Sequence, residues 1–289
     1  MLDAPSDDMV LLRPVHFPAG PVHLSGTLFL PPDRPRAALV LNGATGVPHG
    51  YYRAFARWLA ATQGIACLTY DYRDMGASAT GPVHASTVRM SDWALVDQPA
   101  ARAEMQRQVP GVPLWVLGHS LGAMLLPLQE GIEQIERVIG VASGLVHHTD
   151  HPWPYQALAR LFWFGHGPLA VRLFGHLPAR WFGMGEDLPA PVYWQWRRWC
   201  TTHGSYLPET GTDLPPADWT RSGAKVKLVA FSDDEMIPPQ CVQRLGQQAY
   251  GGHNVTDTVI SPDQAELSRI GHIGAFARRN HALWPLLIA

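Results

Sequence analysis

Ser120 stands in the run Gly118-His119-Ser120-Leu121-Gly122, a G-x-S-x-G pattern. Alone the pattern is weak, because glycines and a serine make many ordinary turns. Its neighbours give it meaning. The apolar run Leu114 to Leu117 precedes it, and a second apolar run begins at Leu121. A buried strand leading through a tight turn into a helix is the setting of a nucleophile elbow. Glycines on either side let the chain turn sharply, and the helix N-terminus favours negative charge beneath the serine. A serine hydroxyl is a weak nucleophile at neutral pH and requires a base. The 14 histidines are too many for composition to select one. Two adjacent acids, Asp233 and Asp234, with Glu235 behind them, follow a later apolar run, "VKLVAF". His147, His148 and His151 lie close together, but no acidic or thiol partner stands at ligand spacing, so no metal is expected. No P-loop or nucleotide-binding glycine pattern occurs, and no cofactor is implied.

The elements that must position these residues follow from hydrophobic patterning. "VHFPAGPVHLSGTLFLPP" (15–32) has two apolar runs around a Pro/Gly turn and predicts an antiparallel pair. "AALVLNGATG", "IACLTYDYRDMGAS", "VPLWVLGHS", "RVIGVASG" and "KVKLVAF" carry nearly continuous apolar runs, the pattern of strands buried on both faces. "VTDTVISP" closes the series. Helices are expected between them. "YYRAFARWLAATQG" places Phe55, Leu59 and Ala60 on one face and ends at Gly64; "SDWALVDQPAARAEMQRQVP" has Ser91 as its cap and Pro99 as a break or kink. "LGAMLLPLQEGIEQ" should be helical with Pro127 distorting its second turn, and helices should follow Pro239 and His272. The fold class is therefore α/β, a mostly parallel doubly wound sheet.

The alternation stops after Ser143 and resumes near Lys225. Between them, residues 145–221 hold seven of the 11 tryptophans, several prolines and short helical pieces. This interval is expected to be a helical cap inserted into a core formed by 1–144 and 222–289, lying over the C-terminal edge of the sheet. Trp153, Trp163, Trp194 and Trp196 are its candidates for lining a pocket.

Bulk properties narrow the partners. The chain has 289 residues, 46% of them hydrophobic and 16% charged, which argues against disorder. A net charge of -2 leaves no nucleic-acid footprint. Cys67, Cys200 and Cys241 are odd in number and far apart, no apolar run reaches the ~18 residues of a membrane span, and the N-terminus "MLDAPSDDMV" lacks a basic leader region. A cytoplasmic protein is expected.

With these residues in view, the chain resembles an α/β-hydrolase over nearly its full length. "GHSLG" is similar to the family's elbow, "LNGATG" to its oxyanion loop, "DYRDMGAS" to the stretch often written DYRGxGxS, and "FSDDEMIPP" and "IGHIGAFA" to its acid and histidine segments. The likeness is greatest to capped serine hydrolases related to serine aminopeptidases and monoacylglycerol lipases. Asp74 replaces a usual glycine, and Asn42-Gly43 replaces the commoner His-Gly. The family runs serine, acid, histidine along the chain, which implies Ser120, Asp234 and His272, with His253 and His281 as rival bases. Asp234 fits the family's Asp-x-x-Val/Ile-Pro frame through Ile237 and Pro238, whereas Asp233 puts the proline one position too far. The family's geometry implies backbone N–H groups of Leu121 and Ala44 as the oxyanion donors, with Thr45 as the rival to Ala44.

The activity implied is hydrolysis of a carboxylic ester through an acyl-enzyme, on a small-molecule substrate with an apolar part. A thioesterase, an amidase or aminopeptidase, and a lipase would use the same triad. A non-catalytic binding protein of the same fold is the alternative from a different class.

Overall fold

The computed structural model describes residues 10–252 and 254–289. The acidic N-terminal stretch (1–9) and the rival base His253 lie outside the described residues.

A hairpin opens the chain. Leu11–Ala19 (β1) and Val22–Leu30 (β2) pair antiparallel with Ala19 opposite Val22, so the turn is Gly20-Pro21, with Gly20 at φ 60°. Six further strands complete the sheet: Ala37–Asn42 (β3), Ile65–Tyr70 (β4), Leu114–His119 (β5), Ile135–Val141 (β6), Lys225–Phe231 (β7) and Val255–Ile260 (β8). Their spatial order is β1-β2-β4-β3-β5-β6-β7-β8. β2 meets β4 antiparallel, and every pairing from β4 onward is parallel. β3, β4 and β5 are buried along their whole length because apolar layers cover both faces. Val40, Leu68 and Val116 join one layer; their chain neighbours Leu39, Cys67 and Leu117 join the other.

The helices depart from expectation where proline acts. Arg53–Gln63 (α1) buries Phe55, Ala56, Leu59 and Ala60 and ends on Gly64 in the left-handed region. Residues 90–108 (α2) form one continuous helix despite Pro99, because Trp93–Asp97 widens into a π turn just before it. Ser91 is not its cap: the helix starts at Met90, and the Asp92 carboxylate accepts the Arg89 amide. The helix after the elbow is short. Leu121–Met124 (α3) ends within four residues, because Pro127 has no N–H to offer the Ala123 carbonyl. Tyr250 Oη (2.6 Å) donates to that carbonyl instead, and Tyr206 Oη (2.8 Å) to the Met124 carbonyl. Pro239–Gln248 (α6) follows β7.

Between β6 and β7, residues 155–174 run as one helix with a central π turn (α4), and Ala190–Cys200 forms a second (α5). Hydrogen bonds tie this segment to the start of α2 and to the loop after β3. Ser91 N–H donates to Gln195 Oε1 (2.9 Å), and Glu186 N–H to the Gly46 carbonyl (2.7 Å). No regular helix follows His272 directly. Short 3-10 turns, Gly274–Phe276 and Arg278–Leu283, intervene before Trp284–Ile288 (α7). Asn280 leaves helical geometry there, and its side-chain amide donates to the Gly274 carbonyl.

Candidate active site

β5 ends at His119, and the chain reverses at Ser120 with φ 55° and ψ -113°. A non-glycine residue at positive φ is strained and is held there by its surroundings. The flanking glycines are required by space. A Cβ on Gly118 would lie 2.2 Å from the Gly122 carbonyl carbon, and one on Gly122 would lie 2.2 Å from the Asn42 carbonyl oxygen. Ser120 N–H donates to the Val141 carbonyl (2.9 Å), fixing the turn against β6.

The loop after β8 brings His272 to this turn. His272 Nε2 lies 3.1 Å from Ser120 Oγ, and its Nδ1 lies 2.9 Å from Asp234 Oδ2. A carboxylate only accepts, so Nδ1 carries the proton and Nε2 presents its lone pair to the serine hydroxyl. Asp234 is buried in the turn after β7, and its Oδ1 accepts the amides of Met236 and Ile237, each at 2.9 Å. Asp233 turns away and has a different task. Its two oxygens accept the amides of Ile270 (2.8 Å) and Gly271 (3.0 Å), anchoring the loop that delivers His272. His281 is exposed, with its ring against Trp284.

His119 joins the site from below. Its Nε2 lies 2.9 Å from the His272 carbonyl oxygen, so Nε2 is the donor and Nδ1 the acceptor. Tyr52 Oη donates to that Nδ1 (2.9 Å) and accepts the Ala44 amide (2.8 Å). Burial raises the Tyr52 phenol well above its ordinary range, so it remains a donor. Burial, with His272 nearby, pushes the His119 imidazolium down to about 3 and keeps the ring neutral. The sequence signalled His119 only by its place beside the serine, and nothing in it singled out Tyr52.

This arrangement bears on the expected oxyanion donor. The Ala44 amide donates to Tyr52 Oη. The Thr45 amide has no hydrogen-bond partner among the described residues. Thr45 lines, with Ser120 and Leu121, a void of about 30 Å³, room enough for a water. Leu121 opens α3, where the first amides of a helix have no intrahelical acceptor. The sequence departures are explained locally. Asn42 Nδ2 donates to the Gly122 carbonyl (3.1 Å) and Oδ1 accepts Tyr70 Oη (2.8 Å), which braces the elbow. Asp74 occupies the left-handed region at φ 57°, and its carboxylate accepts the hydroxyls of Thr80 and Ser86.

The sequence matches the alpha/beta hydrolase family over residues 38–265. The chain belongs to the alpha/beta hydrolase family. Solved structures of the same fold include a serine hydrolase without a lid from Xanthomonas campestris (TM-score 0.54, 15% identity, covering 96% of this chain and 91% of that one). Others are an esterase from Pyrococcus furiosus (0.56, 14%, 98% and 90%) and a thermophilic esterase from Thermogutta terrifontis (0.57, 12%, 95% and 96%). At these identities the likeness is one of fold. A search of curated proteins gave no match.

In this family member a cavity of about 420 Å³ opens beside Ser120, walled by Val146, Phe162, Trp163, Trp196 and Ile237, with Leu158 at its rim. Of the four tryptophans named from sequence, Trp163 and Trp196 line it. Trp153 is 78% exposed, and Trp194 sits beneath Arg172 and Arg197. A larger depression of about 840 Å³ lies at the N-terminal ends of the strands, around Trp115, Arg137 and Lys227, and Ser120 does not line it. His147 stacks on His203 (ring centroids 4.0 Å apart), and His151 Nδ1 donates to the Glu235 carbonyl (3.0 Å). The three cysteines are buried, which raises their thiol pKa values and makes them poor nucleophiles.

Proposed function

We propose that this alpha/beta hydrolase cleaves carboxylic esters with an apolar acyl or alcohol part, through an acyl-enzyme on Ser120. The observation that carries the reading is the hydrogen-bonded chain Ser120 Oγ, His272 Nε2, His272 Nδ1, Asp234 Oδ2, with links of 3.1 and 2.9 Å. His272 takes the serine proton as Oγ attacks the ester carbonyl, and Asp234 holds the imidazole tautomer and stabilises the imidazolium. The Thr45 and Leu121 amides, from two of the residues that line the small void at Ser120, receive the developing oxyanion. His272 then gives its proton to the leaving alkoxide. Water repeats the sequence on the acyl-enzyme, releasing the acid and restoring Oγ–H.

The substrate class is argued from the cavity. Its walls are mostly apolar, with His151 and His166 among them, and its volume of about 420 Å³ lies within the ordinary range for small-molecule sites. Residues 145–221 serve as the cap that supplies most of those walls. The test is labelling with a fluorophosphonate probe, followed by turnover of p-nitrophenyl esters of rising chain length. Labelling at Ser120, absent in Ser120→Ala, with turnover of the esters is expected. An unlabelled Ser120 makes the chain a binding protein, and turnover of thioesters or aminoacyl amides in preference to esters changes the substrate class.

A further inference from the structure

The exposed face of α4 is apolar where a solvated helix should be polar. Leu158, Leu161, Leu169 and Leu173 recur at helical spacing and are 61%, 56%, 58% and 69% exposed. Beyond the helix, Trp181 (71% exposed) packs edge-on against Phe174 with ring centroids 5.1 Å apart and extends the same surface. Isolated exposed leucines need no explanation, but a contiguous apolar patch of this kind marks a docking surface.

The charge around the patch selects its partner. Residues 151–185 contain no aspartate or glutamate, although the whole chain carries 24 acids and a net charge of -2. The same stretch has Arg160 and Arg172, both exposed, while the exposed Arg180 is paired with Glu186 just beyond it. A helix with a leucine and aromatic face, flanked by arginines and free of acids, is the composition of a segment that lies in a membrane interface and attracts anionic headgroups. Leu158 connects this face with the site, because it is exposed on the patch and also lines the cavity beside Ser120.

We propose that the outer face of α4, together with Phe174 and Trp181, docks on the surface of an anionic phospholipid bilayer, with the leucines among the upper acyl carbons and the arginines at headgroup level. The cavity rim then faces the lipid, and apolar substrate reaches it without crossing water. No helix of the described residues is long and apolar enough to span a bilayer, so the association is peripheral.

Co-sedimentation tests this directly, using the purified chain and extruded vesicles of phosphatidylcholine alone or mixed two to one with phosphatidylglycerol. The chain should pellet with the mixed vesicles and far less with the neutral ones. Leu169→Asp/Leu173→Asp should weaken the mixed-vesicle binding by at least about tenfold, since each change replaces buried apolar carbons with a charge repelled by the headgroups. Arg160→Gln/Arg172→Gln, which leaves the leucines in place, should weaken it as well. Ser120→Ala should pellet like the wild type, because the docking is independent of the proposed chemistry. A chain that stays in the supernatant with both vesicle types overturns the proposal. So does a leucine variant that pellets like wild type, or size-exclusion data in which the wild type is dimeric and the leucine variant monomeric, which would assign the face to a second copy of the chain.

Discussion

Tyr52 Oη donates to His119 Nδ1 at 2.9 Å, and the direction of that bond is fixed by everything around it. The His272 carbonyl can only accept, so His119 donates to it through Nε2 and must accept through Nδ1. The remaining capacity of the Tyr52 oxygen is taken by the Ala44 amide. One buried row of three hydrogen bonds therefore links the loop after β3, the residue before the nucleophile, and the backbone of the candidate base.

Tyr52→Phe removes the middle of that row and leaves two buried groups unpaired. Unsatisfied buried groups cost ~1–3 kcal/mol, so thermal unfolding should reveal a loss of that order. The hydroxyl touches no substrate, so KM should change little. Turnover should fall by about tenfold as the loops lose their relative placement. The same variant frees the Ala44 amide. A rise in kcat would return the oxyanion assignment to Ala44 and remove it from Thr45.

The neutral state of His119 makes stability depend on pH. Burial lowers its folded pKa to about 3, against an ordinary histidine value of ~6.5 in the unfolded chain. Below ~6.5 the unfolded state binds the proton first. The stability this residue contributes is thus present above ~6.5 and lost progressively as pH falls toward the folded value, by up to ~1.4 kcal/mol per unit. His119→Gln abolishes that titration. The stability difference between wild type and variant, from urea unfolding, should narrow on going from about pH 7 to about pH 5. Burial raises Asp97 to about 6, with the opposite sign, but Asp97 is common to both proteins and cancels. A pH-independent difference would show that His119 is not buried neutral.

Most of the sheet was legible in the sequence, because strands covered on both faces must be apolar throughout, and "AALVLN", "IACLTY" and "LWVLGH" are. The elbow was legible for a steric reason, since only glycine clears the Asn42 and Gly122 backbones. The helices were less legible. Pro99 and Pro127 look alike in sequence, yet a π turn absorbs one while the other ends a helix whose carbonyls are taken by Tyr206 and Tyr250, 82 and 127 residues away in sequence. Which oxyanion-loop amide is free depends in the same way on Tyr52, a tertiary contact that spacing does not encode.

Asp233 and Asp234 provide a side-by-side test of position against charge. Asp234→Asn keeps the size of the side chain but removes the acceptor that fixes the His272 tautomer, and turnover should fall by up to ~10⁴-fold with the fold retained. Asp233→Asn loses one of two acceptors for the Ile270 and Gly271 amides. It should lower turnover only about tenfold, by loosening the loop rather than altering the imidazole. Steady-state kinetics of the two variants should keep this ranking, and the reverse order would make Asp233 the partner of the base.

Trp196 should set the acyl-chain preference. It lines both the cavity of about 420 Å³ and the void of about 30 Å³ beside Ser120, so it sits where the proposed acyl space adjoins the proposed oxyanion space. Trp163 packs edge-on against it with ring centroids 5.0 Å apart and forms the adjoining wall. Trp196→Ala removes an indole from this position and enlarges the space near the reacting carbonyl. Bulky or branched acyl groups should gain most. Short acyl groups should lose the contact that holds their carbonyl in line. Each methylene that a pocket does or does not accommodate is worth ~1–3 kcal/mol in kcat/KM, so the ratio of long- to short-chain turnover should rise by at least about tenfold. Trp153→Ala is the control, since that side chain is 78% exposed and lines no wall of the cavity. A chain-length profile that Trp196→Ala leaves unchanged, or that Trp153→Ala shifts as strongly, would show that acyl groups bind elsewhere than in this cavity.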